Sequence, residues 1–261
     1  MKVIKLYEGI KYNKEDNTYN INFNNDDADD IIKLKMPQIY QSEFKGNVYY
    51  FGYKFEDDVP SRDRSRFIYW IKGLSDNKPT EYQYREIISK PLSMLNKQIG
   101  LQNIDLFVYP QSNRSELVQK MIVECGDILQ RDTKSVSMRL LKNTPYNIQF
   151  DWGLFDRNFE GDVHTREQIY NYVENELLPK IHKLDYFSLA QSVKPKYRRY
   201  IKDFLTIGDS FNMTTLASAK NILIVDDVNT SGATLSEILK IIGNVNNEAN
   251  IFIFTLLGND R

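Results

Sequence analysis

Ile222-Leu223-Ile224-Val225-Asp226-Asp227-Val228-Asn229-Thr230-Ser231-Gly232-Ala233-Thr234 is the stretch on which the fold turns. The apolar run from Ile222 to Val225 reads as a strand buried on both faces, as strands of parallel sheets are. Two carboxylates, Asp226 and Asp227, follow at its C-terminal end, the edge at which open α/β sheets collect their ligands. Next come Thr230, Ser231, Gly232, Ala233 and Thr234, directly ahead of an amphipathic helix predicted over 235–242. Small side chains let the backbone approach a ligand, and the hydroxyls can donate. The first amides of a helix have no internal partner and carry partial positive charge. Together these features make a phosphate cradle. Acceptors beside such a cradle suit a phosphorylated sugar, with its 5′-phosphate on the loop and its 2′- and 3′-hydroxyls on Asp226 and Asp227.

Working outward, the neighbouring sequence alternates strand and helix signals. A short apolar strand is predicted over 104–109 and closes at Pro110. A polar loop follows, Gln111, Ser112, Asn113 and Arg114, and a helix opens at Ser115. Val118, Ile122, Cys125 and Leu129 give that helix its buried stripe. Further strands are expected near 133–138 and over 250–257. Strands alternating with helices imply an α/β class, a parallel sheet flanked by helices.

The N-terminal part reads as β-rich. Tyr19, Ile21 and Phe23 alternate with polar residues at the strand period, and 48–55 is a second aromatic strand. The Asn/Asp-rich run at 24–30 between them reads as a loop. Helices are predicted over 61–74, carrying Phe67, Ile68 and Ile71, and over 80–99, with a kink at Pro91. A boundary at Asp76-Asn77-Lys78-Pro79 would divide a β-rich extension or small domain, residues 1–78, from an α/β domain, residues 79–261. Residues 139–219 are the hardest to read. A strand is expected over 148–150, Thr165 with Gln168 forms a candidate capping box, and Lys194, Lys196, Arg198 and Arg199 lie in a basic segment opening another helix.

The 222–234 stretch closely resembles the PRPP-binding signature of type I phosphoribosyltransferases: apolar strand, two acidic residues, then a Thr/Ser-Gly-x-Thr loop. The likeness extends more loosely over 104–257, and the layout also resembles the ComF-like branch. The resemblance implies that Asp226 and Asp227 hold the ribose hydroxyls, partly around Mg²⁺, and that Thr230, Ser231, Gly232, Ala233 and Thr234 bind the 5′-phosphate. It implies a pyrophosphate loop at the matching earlier position, Gln111, Ser112, Asn113, Arg114 and Ser115. It also implies a mobile lid and an acceptor hood drawn from 139–219, with Lys194, Lys196, Arg198 and Arg199 as candidates to meet phosphate charge. The expected activity is Mg²⁺-dependent transfer of ribose 5-phosphate from PRPP to a nitrogenous acceptor, a base or an amine, with release of pyrophosphate. A non-catalytic regulator that senses PRPP or a nucleotide would carry the same loops. Members of the family often dimerise, so a homodimer is also expected.

Composition narrows the alternatives. The formal net charge is −1, which gives no support for broad nucleic-acid binding. The single cysteine excludes an intrachain disulfide, and with only two histidines no zinc-site spacing exists. The absence of a signal peptide and of any apolar run near the roughly 20 residues that span a bilayer leads to the expectation of a soluble cytoplasmic protein. Neither the phosphate-loop pattern G-x-x-x-x-G-K-[ST] nor the dinucleotide pattern G-x-G-x-x-G occurs. A bacterial receiver domain, which also opens on such a strand, needs about 100 further residues after it. Cys125 lies far from the N-terminus, which disfavours a glutamine amidotransferase.

Overall fold

The structure is a computed structural model and describes residues 3–7, 10–13, 18–21, 39–54, 61–112, 115–130, 137–208, 210–229 and 231–258. The expected loop at 24–30, Phe23, residues 133–136, Asn113, Arg114 and Thr230 lie outside the described residues. The fold is α/β: a mixed, mostly parallel seven-stranded sheet flanked by helices, in the order β10 (Leu205–Thr206), β7 (Ser137–Lys142), β6 (Leu106–Pro110), β11 (Asn221–Val228), β12 (Asn250–Gly258), β5 (Asn47–Lys54) and β4 (Tyr40–Phe44). By compactness the chain divides into two units, residues 1–138, 219–230 and 248–261, and residues 139–218 and 231–247.

The first unit opens with a small antiparallel sheet of β1 (Val3–Tyr7), β2 (Ile10–Asn13) and β3 (Thr18–Ile21). An antiparallel hairpin, β4 (Tyr40–Phe44) and β5 (Asn47–Lys54), then enters the main sheet. Two helices follow, α1 (Ser61–Ile71) and α2 (Glu81–Ile99), then β6 (Leu106–Pro110) and α3 (Leu117–Leu129). Much later in the chain come β11 (Asn221–Val228) and β12 (Asn250–Gly258). β11 lies parallel between β6 and β12, and β12 lies parallel to β5. Residues on both sides of 78/79 therefore build one sheet and one core. Phe67, Ile71, Ile87, Leu92, Phe107, Met121, Leu223 and Phe254 are all buried in the same cluster.

Two local features fix α2 in that core. Its start is a complete capping box: Gln83 N donates to Thr80 Oγ1 at 3.2 Å, and Thr80 N donates to Gln83 Oε1 at 2.9 Å. Pro91, where a kink is expected, sits inside a helix that continues to Ile99. A proline lacks the N–H that would bond the carbonyl four residues back, here that of Ile87. The buried Tyr53 hydroxyl of β5 donates to Ile87 O at 2.9 Å and replaces the missing donor. The Pro91 ring packs on Gly52, where an added Cβ would lie 2.6 Å from Pro91 Cβ. Helix and strand can approach this closely only because residue 52 has no side chain.

The second unit contains β7 (Ser137–Lys142), whose first two residues belong to the first unit, the short strands β8 (Gln149–Phe150), β9 (Ile201–Lys202) and β10 (Leu205–Thr206), and helix α4 (Trp152–Asn158). Helix α5 (Val163–Tyr172) continues through a π-helical turn, Val173–Leu177, into α6 (Leu178–His182). Helices α7 (Leu189–Ser192), α8 (Ser210–Ser218) and α9 (Ala233–Val245) complete it. β10 pairs antiparallel with β7, and β8 with β9. Phe150 is the hub of an aromatic cluster with Trp152, Phe155, Tyr197 and Tyr200. The predicted cap at Thr165 is displaced. Asp162 is the N-cap and its Oδ1 accepts from Thr165 N at 2.6 Å, which places Thr165 inside the first turn. An aspartate three residues earlier offers a charged acceptor to the helix amides, and it wins over the threonine hydroxyl.

Candidate functional site

The parallel strands of the first unit run in one direction, so β5, β6, β11 and β12 deliver Lys54, Pro110, Val228 and Gly258 to the same sheet edge. β11 continues three residues past the apolar run. Asp226 is paired opposite Thr255, and Val228 opposite Leu257, so both acids lie within the strand. The pairing with β6 runs through Ile224↔Val108, which leaves the acids beyond that partner.

Strand alternation sends the two carboxylates to opposite faces. Asp227 shares the face of Leu223 and Val225, which pack in the core cluster, whereas Asp226 shares that of Ile222 and Ile224. Both are buried, 6% and 7% exposed, and burial of carboxylates demands partners. Asp226 Oδ1 accepts from Asp227 N at 2.9 Å. Asp227 Oδ1 meets Lys72 Nζ at 2.8 Å. Lys72 follows α1 in a turn completed by Gly73 at φ 68°. Burial alone would push the Lys72 ammonium down. The charge of Asp227, its hydrogen bond and the charge of Asp226 outweigh that burial and leave it above the ordinary lysine value.

Asn229 ends the acidic segment. Its amide donates to Leu257 O at 3.0 Å, while its side-chain Oδ1 is buried and has no hydrogen-bond partner among the described residues. A buried acceptor left in this way is uncommon and calls for a donor or a cation. Leu257 O also accepts from Thr255 Oγ1 at 2.9 Å, and Thr255 Oγ1 lies 2.7 Å from the Tyr49 hydroxyl. The strand exit is thus moored to the core by a buried polar chain.

The earlier loop leaves β6 at the same edge. Gln111 is partly buried, Ser112 exposed and Ser115 buried. Ser112 Oγ accepts from Ser115 N at 3.0 Å, and Ser115 Oγ accepts from Leu117 N at 3.3 Å. The two serines shape the turn into α3, and their hydroxyl protons remain as donors.

In the second unit, Gly232 is buried and adopts a left-handed φ of 72° as α9 begins. That conformation is open to glycine at no steric cost. Helix α9 opens without a side-chain cap, and Ser231 Oγ makes only a 3.4 Å contact with Ala233 N. Ala233 is buried and Thr234 partly so. An uncapped helix start carries orphan amides, the feature that anions use.

The basic segment forms one short 3₁₀ helix, Pro195–Tyr200, and its cations are engaged locally. Lys194 lies 5.0 Å over the Tyr172 ring, and Lys196 4.8 Å over Tyr197. Arg198 donates to Val193 O and Ala190 O, at 2.9 and 2.7 Å, and burial lowers its pKa. Arg199 lies 4.8 Å over Tyr200.

Sequence reasoning missed Lys72 and Asn229. Lys72 looks like an ordinary polar residue at a helix exit, and only the tertiary fold brings it to Asp227. Asn229 stood inside the motif, but its orphaned oxygen is a property of packing. Among the described residues no group of three or more His, Cys, Asp or Glu side chains could hold a metal ion. No helix among them is long and apolar enough to cross a membrane. Compared with protein-family models and with curated proteins, the chain matches none.

Proposed function

We propose that the chain has the type I phosphoribosyltransferase fold and binds PRPP, transferring its ribose 5-phosphate to a nitrogenous acceptor in the cytoplasm. The observation that carries this reading is a buried acidic pair at the C-terminal end of the central parallel strand. Five residues on in the chain come a left-handed glycine, Gly232, and an uncapped helix start. Acceptors for hydroxyls and amides for phosphate follow each other in the order a phosphorylated ribose requires.

Asp226 and Asp227 would accept from the 2′- and 3′-hydroxyls, Asp227 sharing or giving up its bond to Lys72. Thr230, Ser231, Gly232, Ala233 and Thr234 would hold the 5′-phosphate. Gln111, Ser112, Asn113, Arg114 and Ser115 would meet pyrophosphate. In the reaction the bond from C1 to the pyrophosphate oxygen breaks, and pyrophosphate leaves with the electron pair. A lone pair on the acceptor nitrogen forms the new bond to C1, and that nitrogen then loses its proton. Positive charge develops on the ribose, and the carboxylates favour it electrostatically. Phosphate contacts remote from C1 supply the binding energy that positions it.

The oxygens at the end of β11 are of the kind that a magnesium ion takes. Asp226 and Asp227 offer hard carboxylate oxygens, and the Asn229 oxygen is buried without a partner among the described residues. Magnesium is commonly held by one or two carboxylates together with ligand phosphates. When bound it would neutralise the pyrophosphate leaving group.

One observation favours a second reading, a PRPP or nucleotide sensor without turnover: Lys72 already neutralises Asp227. Calorimetric titration with PRPP and Mg²⁺ tests both readings, which expect binding that weakens in Asp226→Asn/Asp227→Asn. No heat at millimolar ligand would sink the proposal. Incubation with PRPP and a panel of bases separates the two, since pyrophosphate release with one base marks the enzyme and binding without release marks the sensor.

A further inference from the structure

A carboxylate that the proposed chemistry does not use lies inside the second unit: Glu237, the fifth residue of α9 and only 4% exposed. It follows Ala233 by one helical turn, about 6 Å along the axis. Helix side chains lean towards the N-terminus, so this one reaches back over the turn of Ala233 and Thr234. Those residues open the helix whose start has no side-chain cap.

Glu237 also faces the turn between β9 and β10. It accepts a backbone hydrogen bond from Asp203, which holds a left-handed φ of 62°. Asn143 Nδ2 donates to Asp203 O at 2.8 Å, and Lys240 Nζ, one turn further along α9, meets Asp203 Oδ1 at 2.5 Å. Burial pushes the Glu237 carboxyl above its ordinary value. Lys240 opposes this, the Asp203 charge adds to it, and the Asp203 amide and Lys202 oppose it. Lys240 in turn feels Asp151, the N-cap of α4. Of the other elements packed on α9, α8 has no ionisable side chain. The 3₁₀ helix keeps Lys196, Arg198 and Arg199 on neighbouring rings and carbonyls.

We propose that Glu237 regulates that helix start: its ionised carboxylate repels a bound phosphate, and the ligand is taken up together with a proton on Glu237. This rests on residues 231–234 being the phosphate cradle. Two anions would then share one set of helix-end partial charges, in a sheltered setting where salt screens them little. The carboxylate is the one to yield, because burial already disfavours its charge. The proton comes from solvent and no covalent bond to the ligand forms. Affinity is then highest at low pH, falls as pH rises through the folded value of Glu237, and levels off above it.

The test uses the full chain and ribose 5-phosphate, titrated by calorimetry in two buffers of different ionisation heat. The ligand's own ionisation is common to all variants, so differences from Glu237→Gln isolate the carboxylate. Glutamine keeps an acceptor for the Asp203 amide and drops the charge. At about pH 8 Glu237→Gln should bind at least about threefold tighter than the unaltered chain, the scale of one charge repulsion at reduced dielectric. The gap should close towards about pH 5, and over that range the unaltered chain should take up more protons on binding than Glu237→Gln. Lys240→Met removes the nearest cation and should move the fall in affinity to higher pH. Equal affinity and equal proton uptake of the unaltered chain and Glu237→Gln overturn the proposal and leave the cradle in place. Weaker binding by Glu237→Gln at every pH also overturns it, since that marks a scaffold residue. No binding by either chain removes the cradle, and the role of Glu237 with it. If Glu237→Gln does not fold, the unaltered chain and Lys240→Met decide, and an unshifted pH profile overturns the proposal.

Discussion

Lys72 Nζ lies 2.8 Å from Asp227 Oδ1, and the two side chains are 25% and 10% exposed. A pair this sheltered has given up most of its hydration, so removing one partner leaves the other poorly compensated. Lys72→Met should therefore destabilise the fold by about 2–3 kcal/mol, below the roughly 3–5 kcal/mol of a fully buried pair. Urea denaturation measures it. Adding Asp227→Asn should recover part of the loss, and Mg²⁺ should stabilise Lys72→Met more than the unaltered chain. Equal response of the two to Mg²⁺ would mean that the carboxylate is not accessible to a cation.

The same pair sets an alkaline limit. Because the folded-state pKa of Lys72 is raised, its contribution is fully present below the ordinary lysine value and is lost as pH rises through the folded one. The gap in urea midpoint between the unaltered chain and Lys72→Met should be constant from about pH 7 to 10 and narrow above that. A gap that narrows below pH 9 would contradict the assignment.

Tyr53 and Pro91 should be thermodynamically coupled. Tyr53→Phe removes the donor to Ile87 O and should cost about 1–3 kcal/mol. Pro91→Ala returns a backbone N–H that can bond the same carbonyl. In that background the cost of Tyr53→Phe should shrink, and a double-mutant cycle by chemical denaturation reads the difference. Strict additivity would rule out the proposed compensation.

Cys125 is fully buried on α3, and burial, reinforced by the charge of Glu124, pushes its thiol pKa up to about 12. Native protein at pH 8 should react with a thiol reagent only at the rate of unfolding, and urea should release one reactive thiol per chain. Rapid labelling without denaturant would show the packing of α3 to be otherwise.

Much of the fold was legible because it rests on local patterns. The continuous apolar run at 222–225 announced a two-sided buried strand, and it is the central one. The helix over 80–99 was legible from its apolar stripe, whereas its capping box was not, and the box read at Thr165 and Gln168 gave way to an Asp162 cap. The role of Pro91 was half legible: the missing amide follows from the residue, but its replacement by a phenol 38 residues earlier does not. Joining β5 to β12 depends on pairing across about 200 residues, for which strand periodicity carries no register. The acidic pair was visible as residue types. Its neutralisation by Lys72 was not, since an ion pair between positions 72 and 227 leaves no trace in local spacing.

Thr255→Val tests the mooring of the acidic segment. It removes the acceptor of Tyr49 and one of the two donors to Leu257 O, and should cost about 1–3 kcal/mol by urea denaturation. An unchanged midpoint would show the chain of hydroxyls to be dispensable.

That shared carbonyl has a wider implication for how variants of this protein are read. Leu257 O anchors the backbone of Asn229 while also closing the hydroxyl relay from Tyr49. A substitution deep in the sheet, touching no ligand, can therefore reach the rim of the strand through one atom. A mutational screen for ligand affinity would then score Thr255 and Tyr49 beside true contact residues, and only a parallel measure of folding would tell scaffold from recognition.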